Sequence, residues 1–368
     1  MKRTVTFGGR AGISRIGRSS RGERLQRQQI HQLAAEIGFE LCGVANCRTV
    51  AEAPLYQQWV EQGFAGRMSY LTDHRAAIRS DPTRLLSSAQ SIICVGKLYN
   101  GPEPHSDCFD DPTLGWISRY AWGEDYHDVM RSGLEQLAQR IGGDHEWRAF
   151  ADTAPLLERS YARQAGLGWI GKNTCLINQG RGSWFFLGEL LTSLEIEADS
   201  PPPERCGTCT RCIDACPTEA IVPMGDWWTV DARACISYFT IELRGEIPEE
   251  QRGAVGRHVF GCDICQDVCP WNRGAPVDRD EAFAPRAGLV APPLDRLAAL
   301  SLQEFEAMFK TTPVPRARYR GFLRNVCVAM GNSGEARFRE PLARLAVSGD
   351  ELVAGHARWA LDKLNSRA

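Results

Sequence analysis

The feature that most constrains this chain is a run of cysteines: Cys206-x2-Cys209-x2-Cys212-x3-Cys216-Pro217, an isolated Cys235, then Cys262-x2-Cys265-x3-Cys269-Pro270. Eight of the 14 cysteines fall within these 64 residues. No apolar stretch of the secretory type precedes them, so metal ligation is expected rather than a disulfide framework. A tight x2, x2 turn presents three thiolates to one cubane, while the fourth cysteine, before proline, points to another cluster. One [4Fe-4S] cluster should therefore take Cys206, Cys209, Cys212 and Cys269, and the second Cys216, Cys262, Cys265 and Cys235. Cys235 completes the second set because the second half lacks its middle cysteine. A pair of four-cysteine zinc sites is the competing reading, but zinc has no need of the three-cysteine run or the x3-Cys-Pro elements. Cys42, Cys47, Cys94, Cys108, Cys175 and Cys327 are scattered and read mostly as small buried hydrophobes.

The rest of the chain is globular in character. It has 368 residues, 43% hydrophobic and 24% charged, which suits two or three domains with ample core. The formal net charge of −2 excludes a globally basic nucleic-acid binder, leaving only local patches for a polyanion. The longest apolar run, Trp184 to Leu194, is broken by Glu189, so no membrane span is expected. Lys2 and the arginines Arg3, Arg10, Arg15, Arg18, Arg21, Arg24 and Arg27 make the N-terminus basic. Residues 1–22 read as a disordered tail or an early start site, with an RNA-touching arm as the alternative.

Residues 23–198 read as an α+β domain. Ile30, Leu33, Ala34 and Ile37 form a helical stripe before a strand-like run from Phe39 to Ala45, and Ser91 to Val95 is a second strand candidate. Met130, Leu134, Leu137 and Ile141 mark a helix ended by Gly142-Gly143. Pro201-Pro202-Pro203 leads into a bacterial-ferredoxin-like two-cluster domain, 199–285. In 286–368, helical stripes such as Leu323, Val326 and Ala329, and Leu352, Ala357, Ala360 and Leu364, suggest HEAT-like pairing, with a turn at Gly331-Asn332-Ser333-Gly334. So short a repeat should pack on the main body. Arg316, Arg318, Arg320 and Arg324 cluster at its start, either as a solvated face or as a groove for phosphates. No nucleotide motif is evident: Gly166-Leu167-Gly168-Trp169-Ile170-Gly171 has the glycine spacing but follows a helical stretch rather than a strand.

The run from Asp152-Thr-Ala-Pro-Leu-Leu-Glu-Arg through Gly166-Leu-Gly-Trp-Ile-Gly-Lys-Asn-Thr174, the cysteine layout with lone Cys235, and the run from Cys262-Asp-Ile-Cys to Cys269-Pro-Trp-Asn272 resemble the epoxyqueuosine reductase family. The likeness runs over about residues 23 to 365. It implies a cytoplasmic, monomeric enzyme with two [4Fe-4S] clusters and cobalamin, bound by a nitroreductase-like N-terminal domain, that reduces epoxyqueuosine to queuosine at the tRNA anticodon wobble position. An unidentified electron donor is also implied. By matching motifs, Asp152 would be the proton donor; Arg75, Asp152, Asn173, Ser237, Cys262 and Asp263 would lie near the corrin, and Arg159 near the tRNA. Two other classes compete. A reductive dehalogenase would use the same cofactors on a small molecule, and a ferredoxin-like carrier would leave the long upstream domain without a task. The cluster reading predicts that protein reconstituted anaerobically with iron and sulfide is brown and is bleached by dithionite; a colourless protein holding two zinc ions would overturn it.

Overall fold

The computed structural model describes residues 27–278 and 280–366. The basic segment 1–22 lies outside them. Helix α1 (Arg27–Ile37) turns its Ile30 and Ala34 inward and leads into strand β1 (Leu41–Asn46). Strand β2 (Ser91–Leu98), helix α2 (Tyr126–Ile141), strand β3 (Trp147–Phe150), helix α3 (Glu158–Gln164) and strand β4 (Phe185–Thr192) complete the body. The four strands form one antiparallel sheet in the order β1-β2-β4-β3. α1 and α2 cover one face, packing Ile30, Leu134 and Leu137 on Val44, Ile93 and Leu190. α3 covers the other, packing Tyr161 and Ala162 near Cys94 and Leu191.

Both central strands are therefore buried on two faces, and that explains what the sequence concealed. β4 carries no apolar–polar alternation because neither face meets water, so its pattern shows only a long apolar run. The expected α1, β1, β2 and α2 stand within a few residues of their periodic signals. The glycine spacing at 166–171 is likewise structural. A Cβ on Gly168 would sit 2.3 Å from the Ile177 carbonyl oxygen, so glycine is what lets the short strand Trp169–Ile170 pair with Leu176–Ile177.

The cluster segment is sewn into the body rather than appended. Its strand His258–Phe260 pairs in parallel with Trp116–Ile117. The C-terminal helices α4 (Arg318–Ser333), α5 (Arg339–Ala346) and α6 (Glu351–Asn365) pack on that junction: Trp116, Val259 and Phe260 share a core with Phe322, Val326, Ala357 and Ala360. Each such large buried side chain contributes about 1.5–3 kcal/mol. The turn expected at residues 331–334 begins later. α4 continues through Ser333 and breaks at Gly334, whose φ is +78°. Gly331 stays helical because a Cβ there would lie 2.8 Å from Ala360, so its bareness lets α6 approach. Among the described residues no helix is long and apolar enough to cross a membrane.

His356 on α6 ties this tail to the cluster segment. It is 1% exposed; Nε2 accepts the Ile247 amide at 3.2 Å and Nδ1 donates to the Leu352 carbonyl at 2.7 Å. Burial depresses its pKa to about 4, so it stays neutral in the fold but takes a proton when unfolded. The unfolded state then binds more protons between about pH 4 and 6.5, and stability falls as pH drops through that window. Acidifying from pH 7 to 5 should cost roughly 2 kcal/mol from this group. Urea midpoints at the two pH values should show it, and His356→Gln should flatten the dependence.

Candidate functional site

The eight cysteines separate spatially into two sets. The Cys212 thiol, in the short helix Arg211–Asp214, is pushed up to about 11 by burial and by the neighbouring Cys269, Cys206 and Cys209. Burial also raises Cys262, with Cys235 and Cys216 acting on it, and Cys265 has Cys262 and Cys235 as neighbours. Cys212 thus has Cys206, Cys209 and Cys269 about it, and Cys216 and Cys235 lie near Cys262. A cubane needs four thiolates around a common centre, and the donor set fits that requirement twice. Cys216 Sγ accepts the amide N–H of Ala220 at 3.3 Å. Cys175 is a ninth thiol nearby, hydrogen-bonded to Cys265.

The segment 168–177 buttresses both sets. Lys172 donates to the carbonyls of Gly207 and Cys209, each at 2.9 Å, and Trp169 stacks edge-on against Trp271. Asn173 donates to the Cys265 carbonyl at 3.1 Å and accepts the Cys175 amide at 3.2 Å. Asp263, 2% exposed, accepts from Trp116 Nε1 at 3.0 Å, from the Arg119 amide at 2.8 Å and from the Ser118 hydroxyl. Both side chains have their hydrogen bonds within the protein. Their polar groups are engaged in holding the cluster segment to the body, because a buried amide or carboxylate must be satisfied internally. Cys262 has its place in the second thiol set.

Asp152 lies in the loop between β3 and α3 with φ at +55°, a left-handed conformation that Asp tolerates better than most residues. Its side chain is 58% exposed. Oδ2 accepts from Tyr126 at 2.8 Å and lies 3.5 Å from His127 Nε2. Burial opposes the Asp152 charge, but His127 and Tyr126 prevail and hold its carboxyl below the usual range. Burial likewise opposes charge on His127, while Asp125 and Asp152 raise it to about 9. Across the cleft, Arg75 and Arg316 both approach the Tyr70 ring, at 5.9 and 5.6 Å, and Arg316 lies within electrostatic reach of Asp152. Arg75 is also paired with Asp73 at 2.7 Å. Ser237 is half-buried beside the Cys235 thiol.

The basic residues divide. Arg316, paired with Glu242 at 2.6 Å, belongs to the cleft mouth with exposed Arg318 nearby. Arg320 is exposed and pairs with Asp350 at 3.1 Å. Arg159 is exposed and donates to the Thr174 carbonyl at 2.5 Å. Arg324 is corrected: it is 1% exposed, donating to the carbonyls of Leu243, Gly245 and Phe239 and to Asn325, so it cannot reach a phosphate. Its helical position faces the core. Sequence reasoning missed Tyr126, His127, Glu158 and Glu189. The available signal was Glu189, a carboxylate in an otherwise apolar run.

Two family models match the chain, one described as "Epoxyqueuosine reductase QueG, DUF1730" over residues 79–153 and one as "4Fe-4S double cluster binding domain" over 205–272. The epoxyqueuosine reductase of Xanthomonas campestris is 40% identical over 340 residues, spanning 90% of this chain and 94% of that protein. That of Escherichia coli is 40% identical over 311 residues, spanning 83% and 81%. A crystal structure of epoxyqueuosine reductase with an epoxyqueuosine-modified tRNA-Tyr stem loop superposes with a TM-score of 0.82 at 30% identity, covering 92% of this chain and 89% of that one. A Bacillus subtilis structure whose catalytic aspartate loop is swung out of the active site gives 0.82 at 29%, covering 92% and 90%.

Removing the Asp263 carboxylate would strand three donors at the junction. Asp263→Ala should destabilise the protein by about 3 kcal/mol, read as a lowered urea midpoint; an unchanged midpoint would show that the junction does not depend on it.

Proposed function

Because the chain belongs to the epoxyqueuosine reductase family, we infer that it reduces the epoxide of epoxyqueuosine in a tRNA anticodon loop to give queuosine. The observation that carries the reading is Asp152, an exposed carboxyl in the loop before α3 that Tyr126 and His127 hold and Arg316 approaches. Cys206, Cys209, Cys212 and Cys269 would hold one [4Fe-4S] cluster, and Cys216, Cys235, Cys262 and Cys265 the other. Asp152, Arg75 and Ser237 would lie beside a bound corrinoid, with a nitroreductase-like reading of the sheet and its helices. When bound, the clusters deliver electrons singly and the cobalamin cobalt brings them to the substrate.

The protein's part is to place and protonate. Removing the epoxide oxygen as water takes two electrons and two protons. Asp152 stands where an acid can protonate the leaving oxygen, and Tyr126 and His127 fix its side chain. An acid carried on a loop is in keeping with the relative whose catalytic loop has been seen swung out. Arg159, Arg316, Arg318 and Arg320 are exposed, suited to the phosphates of a stem loop, and tRNA as substrate favours the cytoplasm. A low-potential one-electron protein donor would complete the system. The dehalogenase and carrier readings have no support from the relatives, which carry the reductase name.

Anaerobic assay of the reconstituted protein with an epoxyqueuosine-containing stem loop should yield queuosine. Asp152→Asn should retain cluster absorption and cobalamin while turnover falls by at least about 100-fold. Full turnover in that variant would remove the proton-donor role.

A further inference from the structure

Two protons are needed at the departing oxygen, and Asp152 carries at most one. Directly behind it lies a second pair of carboxylates. Glu189 sits midway along β4, with Cys94 and Phe150 as its register partners on β2 and β3. It is 0% exposed, and neither of its carboxylate oxygens finds an N–H or O–H donor among the described residues. What it meets is the carboxyl of Glu158, at the start of α3 on the covered sheet face. Glu158 borders the cleft and, through Oε1, accepts the backbone N–H of Asp152 at 2.7 Å. An ionised carboxylate can only accept, so two ionised carboxylates in contact would repel with no donor between them. One proton held between the two turns one of them into a donor and removes the repulsion.

We propose that Glu158 and Glu189 share a single proton and serve as positioning residues that reload Asp152 during epoxide reduction. The inference rests on the epoxyqueuosine reductase reading of the site. In the full reaction both carbon–oxygen bonds of the epoxide break and a carbon–carbon double bond forms. The oxygen leaves as water, having taken two protons, and two electrons enter from a low-potential one-electron donor by way of the clusters. Asp152, held as a carboxylate by Tyr126 and His127, passes on two protons in turn, each received from the Glu158–Glu189 pair, which refills from solvent between them. The departing oxygen is far more basic than a carboxylate, so it draws the proton through Asp152 even though that residue is itself a weak holder of protons.

The other titratable groups facing the pair are Asp152, Arg159, Cys94 and Tyr126. Burial, reinforced by the Asp152 charge, raises Glu158 to about 8, and burial followed by the Glu158 charge lifts Glu189 well above the carboxylate range. Both shifts run the same way, so the pair retains a proton at neutral pH.

Infrared titration of the reconstituted enzyme tests the shared proton, and the pH profile of turnover on the modified stem loop tests its use. At pH 7 the wild type should show a neutral-carboxyl C=O band that weakens as the pH is raised into the alkaline range, with kcat falling on the same limb. Glu189→Gln and Glu158→Gln should each lose the band and lower kcat by about 10-fold or more, with KM for the stem loop within about two-fold. The two variants are read independently, and the wild-type titration needs neither. Absence of the band, or wild-type kcat with an unshifted basic limb in either variant, would overturn the relay. A wild type that shows the band but does not reduce the epoxide would overturn the functional reading, and the relay with it.

Discussion

The Asp263 carboxylate is the interaction on which the rest of this structure depends. It lies between Cys262 and the helix bearing Cys265, and three donors from residues 116–119 converge on it. A buried carboxylate is costly unless its lone pairs are filled, so the junction closes only in the register that brings Trp116, Ser118 and Arg119 to it. That register fixes the parallel pairing of Trp116–Ile117 with His258–Phe260. The C-terminal helices then pack over the paired strands, with Phe322 and Val326 in the shared core. One satisfied charge thereby couples the electron-carrying segment, the sheet body and the tail.

The consequence for function is proximity. The cluster segment is held against the body through Asp263 and the paired strands, so its thiols do not sit on a detached module. Ser237 stands beside the Cys235 thiol, and Arg316, from the tail, approaches Asp152. The proton side of the chemistry is built on the opposite principle. Asp152, Glu158 and Glu189 are placed by the sheet and by α3, so protons arrive from the body while electrons arrive from the cluster segment. A reaction that consumes both gains from keeping their sources on different walls.

Much of this was legible in the residues. The hydrophobic periodicity of α1 and α2 and the apolar run of β2 placed those elements correctly, because each has an exposed flank or a clear stop signal to frame it. β4 was not legible, since a strand buried on both faces carries no period to read. Arg324 was misread for a related reason. Among the basic residues at 316–324 it looks like its exposed neighbours, and only helix packing shows that it turns inward to the carbonyls of Leu243 and Gly245. Asn173 and Asp263 sit where the family motif puts them, but motif position does not say whether a side chain faces a ligand or its own backbone.

The sequence by itself determined the cysteine inventory and its double-cluster spacing, because cubane ligation imposes short, fixed intervals that survive in one dimension. It also determined the family, through the runs beginning at Asp152 and Cys262. Tertiary structure alone decided which polar side chains remain available for chemistry and which are occupied in holding the fold. That choice depends on donors such as Trp116 and Arg119, more than a hundred residues away from Asp263 along the chain. The pairing of Glu158 with Glu189 is of the same kind: two carboxylates distant in sequence acquire a shared chemistry only when α3 closes over the sheet.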